Sequence, residues 1–166
     1  RLRGERLVIL TNGGGPGVMA VDALIMGQGK LAVLSPATIE QLNQILPATW
    51  SQANPVDIIG DATPERYQAA LKVLLDDPGV DAALVMHAPT AVAAADLVAQ
   101  GVINAVGSPE KNVLTCWLGG NGLEEARRLF NAAQLPTYDT PEAAVQAFLH
   151  MIEYHRSQEA LLQTPP

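Results

Sequence analysis

Short apolar runs alternate along this chain with segments in which apolar residues recur at helical spacing. Residues 7–10 are all aliphatic, which is typical of a strand that is buried on both faces of a sheet. Further apolar runs predict strands at 31–34, 80–86, 113–118 and 135–138. The intervening segments predict helices at 18–26, 36–46, 64–76, 91–103, 122–133 and 142–162. This alternation predicts a parallel sheet that is covered by helices on both faces.

The starts of several helices carry recognisable signals. Ser35, Thr63 and Thr140 each precede a proline, which fits an N-cap residue followed by the first helical position. Asn121 and Glu124 are predicted to cap the helix that ends near residue 133. The longer segment 47–62, between the second and third predicted helices, is read as a connection without regular structure.

Parallel strands joined by right-handed helical crossovers predict a flavodoxin-like three-layer α/β fold, with a five-stranded sheet in the order 2-1-3-4-5. In that order a crevice lies beyond the carboxyl ends of the first and third strands. Loops 11–17, 87–90 and 119–122 are expected at this edge. We assign residues 1–158 to this single domain and predict that residues 159–166 form a linker to a following domain.

The loops at the predicted crevice hold the candidate ligand-binding residues. Segment 15–20 fits the pattern G-x-G-x-x-[GA] between a strand and a helix, where free N–H groups can bind an anion. Three interpretations stay open: a dinucleotide site, a tight turn without a ligand, and contact with a phosphate or another anion. A dinucleotide would also need an acidic residue after the second strand, where the sequence has Leu34-Ser35-Pro36. The predicted anion- or ligand-binding residues are Asn12, Gly13, Gly14, Gly15, Gly17, His87, Thr90, Gly119, Gly120 and Asn121.

No catalytic residue and no metal site can be assembled from the sequence. His87 follows a predicted strand and could donate to a phosphoryl oxygen or act in acid–base chemistry; alternatively it caps a helix or binds a backbone carbonyl. The histidines lack metal-ligand spacing, and the lone Cys116 is expected to be an inert core thiol. Asp57 and Asp61 could form a carboxylate pair, and loop caps explain them as well.

Composition narrows the class of partner. Apolar residues make up 48% of the 166 residues and charged residues 16%, which fits one folded domain. The net charge of −7 argues against nucleic acid and anionic membranes as partners. No apolar stretch is long enough to span a bilayer, and a single cysteine fits a cytoplasmic protein. A homo-oligomer stays open.

Several segments are distinctive when taken together: 10–17, 54–57, 62–67, 119–120, 125–130, 135–138 and 140–142. With them, nearly the whole chain resembles the second flavodoxin-like domain of NDP-forming acyl-CoA synthetases, the succinyl-CoA synthetase superfamily. Residues 148–154 are similar to bacterial Pat-type protein lysine acetyltransferases, which join a synthetase-like region to a GNAT acetyltransferase domain. The resemblance therefore points to one domain of a larger enzyme.

The resemblance implies that the chemistry is shared with other domains. In this family a phosphohistidine sits on a loop of the preceding domain, CoA binds a separate Rossmann domain, and nucleotide binds an ATP-grasp domain. No cofactor is expected in this chain itself, whereas CoA or acyl-CoA and ATP or ADP are expected for the longer protein. In succinyl-CoA synthetase a helix after the third strand points at the phosphohistidine. Here the matching stretch is 87–90, and Pro89 removes one N–H donor where that enzyme has a Gly-Gly turn.

Three hypotheses about function follow. The leading one is a structural and acyl-CoA- or phosphate-sensing module of a Pat-type acetyltransferase, packed against CoA-binding Rossmann, ATP-grasp and GNAT domains. The departure at Pro89 agrees with such a regulatory role. The alternative is a domain of an active NDP-forming acyl-CoA synthetase, in which the helix at Thr90 stabilises a phosphorylated histidine. The third is a free-standing nucleotide-binding module.

Overall fold

A computed structural model describes residues 2–108 and 110–163 of the chain. The strands are β1 (Arg6–Thr11), β2 (Lys30–Leu31), β3 (Val56–Asp57), β4 (Ala82–His87), β5 (Asn112–Trp117) and β6 (Thr137–Tyr138). The helices are α1 (Gly14–Met26), α2 (Pro36–Ile45), α3 (Pro64–Asp76), α4 (Ala95–Val106), α5 (Leu123–Ala132) and α6 (Pro141–Gln163). Strands and helices alternate through the described chain, as the hydrophobic pattern predicts.

The sheet is parallel throughout, and its strands lie in the order β2-β1-β4-β5-β6. Counted without the short β3, this is the order 2-1-3-4-5, so the predicted three-layer fold is confirmed. Successive residues of β4 point to opposite sides, with Val85 in one core and Met86 in the other. Helices α2, α3, α4 and α5 pack on the first side, and α1 and α6 pack on the second. The central strands β1, β4 and β5 are therefore covered on both faces.

The edge beside β1 is built from two short strands joined by a side chain. β2 pairs with the start of β1 and β3 with its end, and β3 lies inside the segment that the sequence pattern leaves as a connection. Between them the Asn54 amide accepts a hydrogen bond from the Ile9 N–H at 3.0 Å. It also donates to the carbonyl oxygens of Leu7 and Ala32, each at 2.9 Å. Asn54 therefore replaces the backbone ladder where the edge strand is interrupted.

Replacing Asn54 with alanine is expected to lower the free energy of unfolding by about 2 kcal/mol, because three hydrogen bonds are lost and the Ile9 N–H keeps no partner. Urea unfolding with an unchanged m value measures this loss. The matched control is Asn104→Ala, since the exposed Asn104 accepts one bond, from Gln100 at 2.9 Å. The control is expected to change stability by less than about 0.5 kcal/mol. Equal losses in the two variants would contradict the role of Asn54.

The predicted start of α1 at residue 18 is wrong. The helix begins at Gly14, with Gly13 in an extended N-cap conformation at φ −138°. None of the glycines from residue 13 to residue 17 has a positive φ. Pro16 fits this early start, because its fixed φ is compatible with the first turn of a helix.

The predicted start of α4 at residue 91 and its end at 103 are also wrong. The indole N–H of Trp117 donates to the carbonyl oxygen of Ala95 at 2.9 Å, and the Ala95 N–H donates to the carbonyl oxygen of Asn121 at 3.2 Å. These contacts with β5 and the loop after it fix the first turn of α4 at Ala95, and the helix then continues to Val106. Residues 88–94 are consequently a loop.

The hydroxyl–proline signals are confirmed at Ser35, Thr63 and Thr140. Their side chains accept bonds from backbone N–H groups three residues ahead, at 3.2, 3.2 and 3.1 Å. The predicted capping pair of Asn121 with Glu124 is wrong, because Gly122 is the N-cap of α5, at φ 82°, and no side chain caps this helix.

Two further boundaries differ from the sequence pattern. β2 ends at Leu31, well before the predicted residue 34, since Asn54 binds the carbonyl oxygen of Ala32. The last helix continues through Gln163, so residues 159–163 of the predicted linker are helical. Residues 164–166 of that linker lie outside the described chain.

Candidate functional site

A small cavity of about 190 Å³ lies at the carboxyl edge of the sheet, between the loop after β4 and the loop after β5. Half of the predicted ligand-binding residues line it: His87, Thr90, Gly119, Gly120 and Asn121. The other half lie at the end of β1 and the start of α1, outside this lining: Asn12, Gly13, Gly14, Gly15 and Gly17. A liquid water occupies about 30 Å³, so the cavity has room for a few waters or one small oxyanion.

His87, the last residue of β4, lies at the base of the cavity. It is only 1% exposed, and neither ring nitrogen has a hydrogen-bond partner. The sequence alternatives of a helix cap and a bond to a backbone carbonyl are therefore both wrong. Burial lowers the pKa of His87 from 6.5 to about 4, so the imidazole is uncharged at neutral pH.

Two aromatic residues hold the His87 ring in place. Its centroid lies 6.0 Å from that of Tyr67 and 5.6 Å from that of Trp117, on which it stacks. Each neighbour is held by its own polar group: the Tyr67 hydroxyl donates to the Met86 carbonyl at 2.8 Å, and the Trp117 indole to Ala95. The imidazole therefore has a defined orientation although it makes no hydrogen bond.

The loop above His87 is rich in unused donors. The Thr90 hydroxyl is buried without a partner. The backbone N–H groups of residues 90–94 donate no hydrogen bond within the described chain. None of the residues described as lining the cavity is acidic. The cavity therefore suits an anion better than a cation.

The opposite wall needs glycine. Gly119 and Gly120 have φ values of 107° and 89°, in the left-handed region that side chains disfavour. A Cβ atom on Gly120 would lie 2.7 Å from the Cβ atom of Pro89. Glycine at 120 therefore allows the two loops to approach closely around the cavity.

Asn12 holds the first loop against the loop after β4. Its side-chain amide donates to the carbonyl oxygen of Ala88 at 3.0 Å and accepts from the Ala88 N–H at 2.8 Å. Asn12 therefore joins these two loops, and its predicted role in ligand binding stays a prediction. Gly14 and Gly15 are exposed at the start of α1, which has no side-chain cap, and no unpartnered buried group accompanies them. Their predicted role in ligand binding stays a prediction.

The remaining polar candidates have structural roles. Cys116 is buried, and burial raises the pKa of its thiol to about 12, which confirms an inert core cysteine. Asp57 accepts a hydrogen bond from the Ile59 N–H at 2.9 Å, and Asp61 pairs with Arg66. The loop-cap interpretation is therefore confirmed for Asp57, whereas Asp61 forms an ion pair with an arginine instead. Within residues 2–108 and 110–163, no group of three or more His, Cys, Asp or Glu residues could hold a metal ion.

Two larger cavities, of about 490 and 660 Å³, lie beside α6. Both are lined by Leu2, Met151 and Asn112, and Asn112 begins β5 at the amino edge of the sheet. They are therefore remote from the loops that carry the candidate residues.

No helix in the described part of the chain has the length and apolar character needed to cross a membrane.

The fold and the cavity together define a class of protein. A parallel sheet with a donor-rich, acid-free cavity beyond its carboxyl edge is typical of α/β domains that bind phosphate or another oxyanion. Residues 7–161 match the family described as the Ligase-CoA domain. The chain belongs to this Ligase-CoA domain family.

Relatives with assigned functions cover most of the chain. It is 37% identical over 150 residues to ADP-forming acetate–CoA ligase I of Archaeoglobus fulgidus, a match that covers 90% of this chain and 21% of that protein. It is 36% identical over 155 residues to the alpha subunit of ADP-forming acetate–CoA ligase II of Pyrococcus furiosus, covering 91% of this chain and 34% of that subunit. The chain thus spans about a fifth to a third of the length of these relatives.

A solved structure of an acetyl-coenzyme A synthetase contains a domain with the same fold. The dinucleotide-forming acetyl-coenzyme A synthetase 1 of Ca. Korarchaeum cryptofilum, in complex with phosphate and ADP, superimposes with a TM-score of 0.90 at 32% identity. The match covers 98% of this chain and 36% of that one. The fold of the whole described domain is therefore shared with a synthetase of this family.

Proposed function

We propose that this chain is a domain of an NDP-forming acyl-CoA synthetase, and that the cavity between the loops after β4 and β5 binds the phosphoryl group that the longer enzyme transfers. The observation that carries this proposal is the identity of 36–37% to ADP-forming acetate–CoA ligases over about nine-tenths of the chain. The cavity adds the chemistry, since its donors and its lack of acidic residues suit a phosphoryl group.

The chain's own contribution would be charge stabilisation. Phosphoryl transfer depends on donors placed around the oxygens that carry negative charge. Here the cavity is lined by Thr90, whose hydroxyl has no partner, by residues 91, 93 and 94, whose backbone N–H groups donate no hydrogen bond within the described chain, and by Ala95 at the start of α4. Among the residues described as lining it, the one side-chain hydroxyl, that of Thr90, is not hydrogen-bonded to a base. The phosphorylated group, CoA or acyl-CoA, and ATP or ADP would therefore bind other domains, such as a CoA-binding Rossmann domain and an ATP-grasp domain.

The relatives support this reading better than the Pat-type acetyltransferase that leads the sequence hypotheses. Those described above are CoA ligases or a synthetase, and a GNAT partner has no support among them. A free-standing nucleotide-binding module fits less well, because each of these relatives extends far beyond the matched domain. A cytoplasmic location and a homo-oligomer stay predictions.

The test is ligase activity of the full-length protein that contains this chain, measured as ATP formed from acetyl-CoA, ADP and phosphate. Gly120→Ala is expected to reduce kcat/KM for phosphate about a hundredfold, because the new Cβ atom displaces the loop at Pro89 and misplaces the donors. The control is Gly60→Ala, at an exposed site where the nearest atom would be 3.9 Å away. We expect this control to retain activity.

Two results would contradict the proposal. Transfer of acetyl groups to protein lysines without ATP formation would favour the acetyltransferase. Full ligase activity in a correctly folded Gly120→Ala variant would show that the phosphoryl group binds elsewhere.

A further inference from the structure

All the unsatisfied buried side-chain groups of the described chain lie in one place. Within residues 2–108 and 110–163, the only buried side-chain nitrogen or oxygen atoms without a hydrogen-bond partner are Nδ1 and Nε2 of His87 and Oγ1 of Thr90. Both residues line the same cavity. A buried polar group without a partner is costly and uncommon in a folded protein. Their concentration here therefore marks this cavity as the place where a bound polar group would gain the most side-chain hydrogen bonds.

Pro89 lies between these two residues and changes the set of donors. A proline has no backbone N–H, so the loop lacks one donor between His87 and Thr90. The Ala88 N–H is already engaged by Asn12 at 2.8 Å. The imidazole that lines the same cavity is a further possible donor, because a neutral histidine carries one ring N–H and neither ring nitrogen of His87 has a partner in the described chain.

We propose that His87 is a positioning residue whose imidazole donates a hydrogen bond to a phosphoryl oxygen in this cavity, in place of the backbone N–H that Pro89 lacks. This inference rests on the proposed function, because it takes the ligand to be a phosphoryl group. The Thr90 hydroxyl is the second side-chain donor, and the backbone N–H groups of residues 90–94 complete the set.

The properties of the site suit this role. At 1% exposure the ring lies out of bulk solvent, where a hydrogen bond to a charged oxygen is stronger than in water. Its lowered pKa keeps the ring neutral, so it orients a phosphoryl group without holding it by a full opposite charge. Stacking on Trp117 fixes the ring before the ligand arrives.

The matched variants separate donor from packing. His87→Phe keeps a ring between Tyr67 and Trp117 and removes both ring nitrogens. Because neither nitrogen has a hydrogen-bond partner in the folded chain, the free energy of unfolding should not fall. Binding of an oxyanion should weaken about tenfold to a hundredfold. Adding Pro89→Ala returns a backbone N–H to the loop and should restore part of the affinity to the His87→Phe variant.

The experiment is an NMR titration of this chain with inorganic phosphate and, separately, with phosphoimidazole, a small mimic of a phosphorylated histidine. The amide signals of residues 90–94 report binding, and the ¹⁵N shift of the proton-bearing His87 nitrogen reports the proposed bond. We expect both sets of signals to move in the wild-type chain. Preference for phosphate would identify free phosphate as the ligand, and preference for phosphoimidazole would identify a phosphorylated histidine of another domain. With either probe, a shift of the His87 ¹⁵N signal supports its role.

The failures are distinguishable. Equal oxyanion affinity in the wild-type chain and in His87→Phe would overturn the role of His87 and leave the proposed phosphoryl site intact. An unchanged His87 ¹⁵N shift during binding would do the same, and would indicate that only ordered water meets the imidazole. Binding of neither probe near residues 90–94 would overturn the proposed site, and the role of His87 with it.

Discussion

Replacing Trp117 with alanine is expected to lower the free energy of unfolding by about 4 kcal/mol, because loss of a large buried aromatic costs about 3–5 kcal/mol. Trp117 is 1% exposed and its ring lies 4.6 Å from that of Phe130, in an edge-to-face contact. Its indole N–H also holds the carbonyl oxygen of Ala95 at the first turn of α4. One side chain therefore links β5 to both helices that follow the cavity loops.

Trp117→Phe separates the two contributions of this residue. A phenyl ring keeps most of the contact with Phe130 and loses the hydrogen bond to Ala95, so the expected loss is about 1–2 kcal/mol. Urea unfolding of the wild-type chain and both variants measures the difference. Similar losses in Trp117→Ala and Trp117→Phe would show that the hydrogen bond, rather than the packing, stabilises this end of the sheet.

The second large effect is on the pH dependence of stability. His87 has a pKa of about 4 in the folded chain, against 6.5 as its ordinary value. Between these values the unfolded chain binds a proton that the folded chain excludes, so stability falls as the pH falls from 6.5 towards 4. Over this whole pH range the shifted pKa of His87 lowers the free energy of unfolding by about 3 kcal/mol, since one pKa unit corresponds to about 1.4 kcal/mol.

The difference between the wild-type chain and His87→Phe isolates this effect. The pKa values of Asp77 and Asp81 are also lowered, for Asp81 chiefly by its hydrogen bond with Arg6. Protonation of these two carboxylates in acid therefore destabilises the wild-type chain and the variant alike. We expect the stability advantage of His87→Phe to widen as the pH is lowered from 7 to 4.5, measured by urea unfolding. Parallel pH profiles for the two proteins would mean that His87 titrates normally.

The sequence predicts the architecture well because the long strands are coded by local composition. The largely apolar runs of β1, β4 and β5 and the hydroxyl–proline caps at Ser35, Thr63 and Thr140 carry their signals within a few residues. β3 has two residues, too few for a hydrophobic period, and it forms because Asn54 fills the gap beside β1. Asn54 lies 45 positions along the chain from Ile9 and 47 positions from Leu7, so these contacts leave no local pattern in the sequence.

The sequence predicts only part of the candidate site. Topology alone brings the loops after β4 and β5 to one edge, so His87, Thr90, Gly119, Gly120 and Asn121 are found together. The alanine-rich stretch before Ala95 favours a helix locally, and the contacts of Ala95 with Trp117 and Asn121 decide where α4 starts. The lack of partners around the His87 ring depends on Tyr67 and Trp117 together, which no spacing in the sequence reveals.

The interrupted border of the sheet has a consequence for how this domain meets other proteins. On one side the outer strands β2 and β3 have two residues each, and on the other side β6 also has two. Such short borders offer few free backbone groups to an incoming strand, which protects a sheet against fibril-like stacking. Contact through an added strand is therefore disfavoured at both borders of the sheet. The helical faces differ from these borders, because α1 leaves four apolar side chains exposed to solvent: Val18, Met19, Ile25 and Met26.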